Sequence, residues 1–472
     1  MIIKKLKELG YNTVPAEFYD KVADWKSWYV GDVKGFHDYR VRNSGKVINC
    51  RRFGLNMAKK ITEDWGGLLM NEKVKITLEG EKEQDFVDSV FVANNFAVRA
   101  NEMQELKAAL GTVAYIPRVV GQAVDATGAP SGSAQSISLD YVTVENIYPL
   151  RWENGIIRDC AFTSVVYSGD REYVYLQIHA KNNAGTYDIE NRVYLRSNGN
   201  LTEVELAEVP GYQLIPPVVH TGSTERQFVI DRLNIANNYD YTLPLGIAVY
   251  ANSIDALKGV DINYDSYVNE FVLGKKRIMV KPAATNYLDG EPIFDSGDLV
   301  FYVLPEDVQD DNIIHEIDMT LRTEEHSTGI QNQLNLLSSK CGLGESYYRF
   351  DRGSVATATQ VISENSAMFR TLKKHEVILR DVLTELCRII LRLGNMAMGL
   401  GLNEGVEISI DFDDSIIEDK NADFNRDMQL LASGILNDWE FRAKWLNEDE
   451  ETAKAALPGA AELTTEEQDE VE

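Results

Sequence analysis

The chain has few cysteines, no long apolar run and no excess of positive charge, and each absence removes a class of protein. Its four cysteines lie far apart and form no CxxC pair, so neither a zinc site nor a disulfide framework is expected. We expect buried free thiols in a reducing cytosol instead. Apolar runs long enough to span a bilayer, or to form the core of a secretion signal, are missing, so no membrane segment is predicted.

The formal net charge is −27 at pH 7. Proteins that wrap nucleic acid neutralise its phosphates with Lys and Arg, so this charge argues against tight wrapping. It leaves open a protein that lets DNA pass, because a mostly acidic channel repels phosphates and prevents sticking. The acidity fits a role in solubility alone equally well.

Motifs for nucleotide, metal and hydrolytic chemistry are also missing. Both Gly-Lys pairs lack the earlier glycine and the following Ser or Thr of a phosphate-binding loop, and the six histidines form no HExxH. The acidic run at residues 410–419 fails the EF-hand pattern. Because Ile410 and Phe412 alternate with aspartates there, a half-exposed strand is the favoured interpretation. We therefore predict no enzyme, no cofactor and no metal site.

The first half of the chain changes its hydrophobic period. Residues 1 to about 110 are predicted to be mainly helical, with one helix over 47–70 that Gly66 and Gly67 weaken or end, and two more over 81–110. From residue 112 to about 229 the period becomes two, and residues 172–180 and 187–197 are predicted as strands of an antiparallel meander. The combination predicts an α+β fold.

Three long helical patterns follow. The first begins at residues 244–246, with Asp261 interrupting its apolar stripe; the second covers residues 313–339. The third starts at a capping box, and His375, its polar interruption, is expected to be a satisfied core histidine. Two β-type runs, RIMVK and LVFYVL, separate the first two helices. The residues predicted to pack in the core or between copies are Leu257, Val268, Phe271, Leu372, Leu379 and Leu386.

The order of these segments resembles that of tailed-phage portal proteins. The resemblance is carried by the runs LPLGIAVYANSIDALKGVDINYDSYVNEFVLGKKRIMV (243–280), LRTEEHSTGIQNQLNLLSSKCGLGESYY (321–348) and TATQVISENSAMFRTLKKHE (357–376). It is strongest between residues 243 and 393, and closest to portals of phages that infect Gram-positive bacteria. No single run is a catalytic fingerprint, so the specificity lies in their order.

The resemblance implies a portal architecture with a helical wing base and an antiparallel β wing, a two-helix stem, a small α/β clip, a long wing-crossing helix and a helical crown. The implied parts are the wing (1–242), stem helix 1 (243–276), clip (277–312), stem helix 2 (313–340), tunnel loop (341–355), long wing helix (356–394), crown (395–457) and a disordered acidic tail (458–472). The tail is poor in apolar residues, which is typical of disorder.

The implied function is a homo-oligomeric ring, a dodecamer by resemblance, at one capsid vertex of the virion. Double-stranded DNA would pass through it during packaging and ejection. The implied partners are the terminase large subunit, the scaffold and major capsid proteins, and then a neck adaptor that connects head and tail, with no membrane involved. Assembly would take place in the host bacterial cytoplasm.

Basic and aromatic residues are the candidates for functional contacts. The DNA-channel candidates are Lys340, Tyr347, Tyr348, Arg349 and Arg352. The clip and motor-docking candidates are Lys275, Lys276, Arg277 and Lys281. A cation at a helix C-terminus is itself stabilising by about 0.3–1 kcal/mol, which explains Lys275, Lys276 and Lys340 equally well. For the loop residues, packing between subunits is the alternative.

Two other functions compete with the portal. Another virion structural subunit, such as a neck adaptor or a minor capsid protein, would need no helix–insert–helix–loop–long helix order. A nuclease would use the carboxylates near Asp411 and would lose activity when Asp411 or Asp413 is replaced by alanine.

Overall fold

The computed structural model describes residues 1–43, 45–125, 127–274, 277–280, 287–288, 291–292, 301–303, 314–317, 320–350, 358–412, 420–446, 448 and 450–457. The chain divides into two units. The first comprises Met1–Ala356 and Ser366–Phe412, and the second comprises Thr357–Asn365 and Asp413–Glu472. Of the predicted parts, most of the clip (281–286, 289–290, 293–300 and 304–312), residues 351–355 of the tunnel loop and the tail 458–472 lie outside the described residues.

Helices and strands alternate in blocks along the chain. The α-helices are α1 (Ile2–Glu8), α2 (Ala16–Val30), α3 (Met57–Leu69), α4 (Glu81–Ala93), α5 (Phe96–Leu110), α6 (Ile254–Leu273), α7 (Thr323–Lys340), α8 (Ala358–Met398), α9 (Lys420–Ala432), α10 (Asp438–Leu446) and α11 (Glu450–Ala455). Mainly helical and mainly β regions follow one another, so the α+β class is confirmed as a mixture of helices and sheets.

Most strands fall in the first half of the chain. They are β1 (Asp38–Asn43), β2 (Lys46–Arg51), β3 (Lys75–Leu78), β4 (Thr112–Val120), β5 (Ala123–Val124), β6 (Pro130–Ser131), β7 (Ser136–Thr143), β8 (Ile147–Glu153), β9 (Ile156–Ser168), β10 (Arg171–Lys181), β11 (Tyr187–Ser197), β12 (Asn200–Val204), β13 (Val218–His220), β14 (Val229–Arg232), β15 (Arg277–Val280), β16 (Tyr287–Leu288), β17 (Glu291–Pro292), β18 (Phe301–Val303), β19 (Ile314–Ile317) and β20 (Ile408–Asp411).

The largest sheet is an antiparallel meander in the order β12-β11-β10-β9-β8, with β13 added on β11. β10 and β11 pair from Glu172↔Arg196 to Lys181↔Tyr187, which confirms the two strands predicted from alternation. Side chains at alternate positions of β10 enter opposite cores. Val174, Leu176 and Ile178 pack with α1, whereas Tyr173 packs with residues that follow β12.

The helical base is built around the contact of α3 with α5. Ile61, Trp65 and Leu69 of α3 are completely buried. Gly66 and Gly67, predicted to weaken or end this helix, do not end it, since α3 continues to Leu69. A β-carbon at Gly66 would lie 3.1 Å from the backbone nitrogen of Glu105 on α5. The glycine therefore permits a close helix approach.

Three predicted helix starts are wrong. Residues 46–51 form β2, since β-branched Val47 and Ile48 pair across a hairpin with β1, and the helix of that region begins at Met57. The helix predicted from residue 243 begins at Ile254, because the backbone before it is used elsewhere: Val249 donates to the Ala108 carbonyl at the end of α5. The helix predicted from residue 313 begins at Thr323, and Ile314–Ile317 forms a strand that pairs with β15.

Other predicted elements are confirmed. Helices α4 and α5 meet at Asn94 and Asn95, with Asn95 in the left-handed region at φ 51°. β20 pairs with β3, and Ile410 and Phe412 are buried while Asp411 is exposed, as expected for a half-exposed strand. The RIMVK and LVFYVL runs contain β15 and β18, which pair in parallel.

The second unit contains α9, α10 and α11. Its aromatic contacts join Phe424 of α9 to Phe441 and Trp445 of α10. Asp427 accepts hydrogen bonds from Lys444 Nζ at 2.6 Å and from Trp445 Nε1 at 3.2 Å. The side-chain hydrogen bond from Lys444, its strongest influence, lowers the pKa of Asp427.

Candidate functional site: a helix pair and its loop

Helices α6 and α7 form a tight antiparallel pair in which glycine on each helix faces a polar side chain on the other. A β-carbon at Gly259 would lie 2.6 Å from Oε1 of Gln333, and one at Gly329 would lie 3.2 Å from Oδ1 of Asn263. A larger side chain at either glycine would force the Gln333 or Asn263 side chain to move. The buried seam of α7 consists of Ile330, Leu334 and Leu337.

One end of the pair is held by charge. Glu270 of α6 accepts two hydrogen bonds from Arg322, from Nε at 3.1 Å and from Nη2 at 2.8 Å. His326 Nε2 lies 3.4 Å from the same carboxylate. The Arg322 side chain, followed by its backbone N–H, lowers the pKa of Glu270 to about 2. This is the fork-to-fork geometry that distinguishes Arg from Lys.

The other end of the pair leads into the predicted tunnel loop, described here as far as residue 350. Cys341, Leu343 and Tyr348 of this loop are buried. Gly342 and Gly344 adopt φ of 81° and 90°, a region that glycine enters at little cost. Gln331 of α7 binds the loop backbone twice, donating to the Tyr348 carbonyl and accepting from the Phe350 N–H, each at 2.8 Å.

Helix α3 fixes the root of the loop at two adjacent residues. Trp65 Nε1 donates to the Cys341 carbonyl at 3.1 Å, and Tyr348 donates its hydroxyl hydrogen to Asp64 Oδ2 at 2.7 Å. Asp64 is also paired with Lys60 at 2.6 Å. Two loop residues seven positions apart, Cys341 and Tyr348, therefore both bind α3, and the start of the loop is held in place.

Trp65 also contacts the long helix α8. Its ring meets His375 edge to face, with centroids 5.2 Å apart. His375 is buried, and its Nδ1 accepts the Asn234 backbone N–H at 3.1 Å. Burial, reinforced by Lys107, lowers the pKa of His375 to about 3, so the ring is neutral. Its Nε2 has no partner among the described residues, so the predicted core histidine is only half satisfied.

Three of the DNA-channel candidates are exposed, Lys340 at the end of α7 and the other two in the loop. Lys340, Tyr347 and Arg349 are exposed, Tyr347 by 36%. Lys340 Nζ donates to the Asn252 carbonyl at 3.3 Å, near the start of α6. Tyr348 differs from its neighbours, because its ring is buried and its hydroxyl is bound to Asp64 within the chain.

The remaining basic candidates are not placed. Arg352, Lys275, Lys276 and Lys281 lie outside the described residues. Arg277 is the first residue of β15, whose backbone pairs with Ile317 of β19, but its side chain lies outside the description.

The packing candidates separate by depth. Leu257, Leu372, Leu379 and Leu386 are at most 2% exposed and belong to the core of the single chain. Val268 is half-buried, and Phe271 is 44% exposed with its ring against Tyr267. Phe271 is therefore not a core residue of one copy.

Sequence reasoning missed the residues that hold the loop. Asp64, Trp65 and Gln331 bind it, and the first two are separated from their loop partners by more than 270 positions. Trp65 lies within the helix predicted over 47–70, but that prediction did not indicate a contact with the loop. Asp261, noticed as a gap in the stripe of α6, turns out to accept hydrogen bonds from the Leu55 N–H and from His37. A cavity of about 210 Å³ lies beside it.

Two searches of the described residues give negative findings. None of the described helices combines the length and apolarity needed to cross a bilayer. Within the described ranges, no three His, Cys, Asp or Glu side chains come together as a metal-binding group.

Comparison with known proteins gives one family. The family model "Phage portal protein, SPP1 Gp6-like" matches residues 12–470. Comparison with curated sequences finds no match. Among solved structures, a chain from the "neck of native GTA particle computed with C12 symmetry" is similar at 11% identity and a TM-score of 0.39, over 82% of this chain and 88% of that one.

Proposed function

We propose that this chain, which belongs to the SPP1 Gp6-like family of phage portal proteins, forms a ring at one vertex of the capsid and guides double-stranded DNA through its channel. That it is a portal protein, and hence a structural component of a phage virion, follows from the family match over nearly the whole chain. The family is structural, and we propose that the chain has no catalytic activity of its own.

The anchored loop is the observation that supports DNA guidance. Its root is tied to α3 through Trp65 and Asp64, while Lys340, Tyr347 and Arg349 remain exposed. A fixed root holds such side chains at a constant place, and a Lys, an Arg and an aromatic ring can contact phosphates without reading bases. We propose these three residues as DNA contacts. Tyr348 is left out because it is bound inside the chain.

We propose the finer assignments on the strength of the family. The meander and its helical base form the wing, α6 and α7 the stem, β15–β19 the clip, α8 the wing-crossing helix and α9–α11 the crown. The ring has twelve copies, assembles in the cytoplasm of a bacterial host, one of the Gram-positive hosts by sequence resemblance, and docks the terminase large subunit before a neck adaptor. Scaffold and major capsid proteins surround it.

The net charge fits a channel through which DNA passes better than a site that binds DNA tightly. Each copy carries −27, and a ring multiplies this charge by the number of its subunits. Duplex DNA is repelled by such a ring except where cations are exposed, so a few basic residues guide the duplex without holding it.

Native mass spectrometry with negative-stain imaging of the purified chain tests the ring. We expect closed particles of about twelve copies with a central channel. A species that stays monomeric at high concentration, also in the presence of scaffold protein, would contradict the proposal.

The DNA contacts are tested in assembled particles. Lys340→Ala/Arg349→Ala should leave ring mass unchanged and lower the fraction of genome-filled particles, because phosphate contacts are lost. Lys4→Ala/Lys7→Ala, two exposed cations of α1, is the matched control for the loss of charge. Equal filling of particles by both double variants would remove the loop from the DNA path.

A further inference from the structure

The β1–β2 hairpin is folded but buries almost nothing. Its strands pair from Asp38↔Arg51 to Asn43↔Lys46, and no described side chain in either strand is buried. Val41, Val47 and Ile48 are 41–55% exposed. An isolated two-stranded hairpin is only marginally stable in water. Among the residues that the structure describes, this element therefore has no apolar surface that would stabilise it.

The two faces of this hairpin differ in character. Tyr39, Val41, Ile48 and Cys50 point to one side, and Arg40, Arg42 and Arg51 to the other. Residues 38–52 hold five Arg or Lys side chains against the single carboxylate of Asp38, although the whole chain carries −27. Arg40 and Arg42 make no hydrogen bond or ion pair with any residue that the structure describes.

A groove of opposite charge lies along β3 and α4. It has a volume of about 530 Å³, and its lining includes the carboxylates of Glu79, Glu81, Asp85 and Asp88, with Lys75 as the one cation among the lining residues. All four carboxylates belong to exposed residues. The side chains of Glu79 and Asp85 pair with nothing in the described part of the chain. The groove is thus an acidic surface, with four carboxylates against the one cation, Lys75.

Helix α3 keeps the hairpin and the groove of one copy apart. The hairpin ends six residues before α3 begins, and β3 starts six residues after α3 ends. The 13 residues of α3 span about 20 Å, and its buried face is fixed in the core. The basic hairpin therefore lies at one end of α3 and the acidic groove at the other, so the two surfaces of one copy are separate.

We propose that the β1–β2 hairpin of one copy docks into the β3–α4 groove of a second copy, head to tail. The inference rests on the proposed ring, and it names the contact that closes it. Two different, complementary surfaces on each copy make a heterologous contact, which propagates around a ring because each bound copy still offers one free surface of each kind.

The observations favour protein over DNA as the occupant of the hairpin. A phosphate backbone would pair with the arginine face only and would leave Val41 and Ile48 in water. A protein surface covers apolar and charged side chains together, with a charged rim that directs association. The acidic groove supplies the matching charge within the same chain.

Charge reversal tests the contact. Arg40→Glu/Arg42→Glu and, separately, Glu79→Lys/Asp85→Lys should each weaken association by about tenfold or more, and combining all four should restore most of it. All four positions are exposed, so folding is preserved and is checked by the thermal midpoint. Arg158→Glu/Arg171→Glu, on the meander, makes the same change in net charge as Arg40→Glu/Arg42→Glu and should leave the ring intact.

Crosslinking provides a second readout that does not depend on charge. Cys50 of the hairpin is half-exposed, and the other three cysteines are buried. With Asp85→Cys in the groove, a short bis-maleimide should link copies into a ladder that runs beyond dimers, because each copy has one thiol of each kind. Asp255→Cys, whose native side chain is 95% exposed on α6, is the control and should give no ladder.

The outcomes separate this inference from the proposed function. If the wild-type chain forms rings and the charge-reversal variants form rings of the same mass, the hairpin contact is overturned and the portal ring is not. The same holds if the cysteine variant gives no crosslinked ladder. Rings that persist after Arg40→Glu/Arg42→Glu but lose affinity for duplex DNA overturn it in favour of nucleic acid. A wild-type chain without rings and without a ladder overturns both proposals.

Discussion

The β10–β11 pair and the β1–β2 pair are both regular antiparallel hairpins, but one is buried on both faces and the other on neither. Leu176 and Ile178 of β10 are completely buried, whereas Ile48 of β2 is 47% exposed. Both pairs satisfy their backbone hydrogen bonds between strands. What separates them is the apolar surface removed from water, which supplies most of the stability of a sheet.

The difference teaches where stability is already present and where it still has to be gained. The meander is stable in one copy because each face has its own core. The hairpin has its geometry in one copy, but its apolar side chains are still in water. A change in the first region should therefore act on folding, and a change in the second on association.

Truncating one isoleucine in each region should give the largest contrast. Ile178→Ala removes buried methyl and methylene groups and should lower the free energy of unfolding by about 2–5 kcal/mol. Ile48→Ala should change it by less than about 0.5 kcal/mol in the monomer. Urea unfolding of Ile178→Ala and of Ile48→Ala measures both changes in the free energy of unfolding. Equal losses of stability would mean that the hairpin is buried in the single chain.

Acid should weaken the meander through a residue that the hairpin does not have. Burial lowers the pKa of His179 in β10 to about 3. The unfolded chain binds a proton near pH 6.5, so stability is complete above that pH and falls as the pH drops from 6.5 towards 3. The loss is about 1.4 kcal/mol per pH unit, or about 2 kcal/mol at pH 5.

Replacing that histidine isolates its share of the acid effect. His179→Leu should flatten the dependence of the urea midpoint on pH between 7 and 5 relative to the parent chain. His375, also with a pKa lowered to about 3, keeps its own contribution in both proteins. Parallel pH profiles would show that His179 is protonated in the folded chain.

Two adjacent tyrosines repeat the contrast inside one loop. Tyr348 is buried and donates to Asp64, whereas Tyr347 is 36% exposed. Tyr348→Phe removes a hydrogen bond to a carboxylate and should cost about 1–2 kcal/mol of unfolding free energy. Tyr347→Phe should cost less than about 0.5 kcal/mol. A Tyr347 variant that proves the more destabilising would reverse the assignment of the inner and outer faces.

The smallest effects should come from ion pairs. In the α6–α7 pair, Arg322→Ala should raise the pKa of Glu270 from about 2 towards 4.5, which NMR titration detects. The stabilising effect of that carboxylate is complete above pH 4.5 and is lost as the pH falls towards 2. In the hairpin, Arg51 and Asp38 have side chains that are 62% and 60% exposed, so Arg51→Ala should hardly move the thermal midpoint. A large shift there would contradict the exposed hairpin.

Local patterns predicted the meander well. The alternation of apolar residues in β10 and β11, and Asn94 and Asn95 between two helices, are local sequence patterns, and the elements that they indicate depend on neighbouring residues only. The helix predicted over 47–70 starts too early. Apolar residues spaced four apart continue from Phe53 in the loop into α3, which suggested one helix, whereas Val47 and Ile48 favour a strand. The early start predicted for stem helix 1 failed because the end of α5, more than 130 residues away in sequence, binds the backbone of residue 249.

The candidate site was predictable in position but not in its internal contacts. Tyr347 and Arg349 are exposed on the loop that was predicted, and Lys340 is exposed at the end of the helix before it, although their contact with DNA stays a prediction. Tyr348 looked identical to Tyr347 in sequence. Its burial depends on Asp64, which lies 284 positions earlier, and no local pattern reports such a pairing.

The glycine contacts between α6 and α7 have a mechanical consequence. Side chains between helices normally bend through rotamer changes, but at Gly259 and Gly329 the facing residue lies almost directly against the backbone. Sliding one helix along the other by a single residue, about 1.5 Å, would take Gln333 and Asn263 out of register with both glycines. These two contacts therefore fix the register of α6 and α7, and a shift of either helix along the other would have to break both of them.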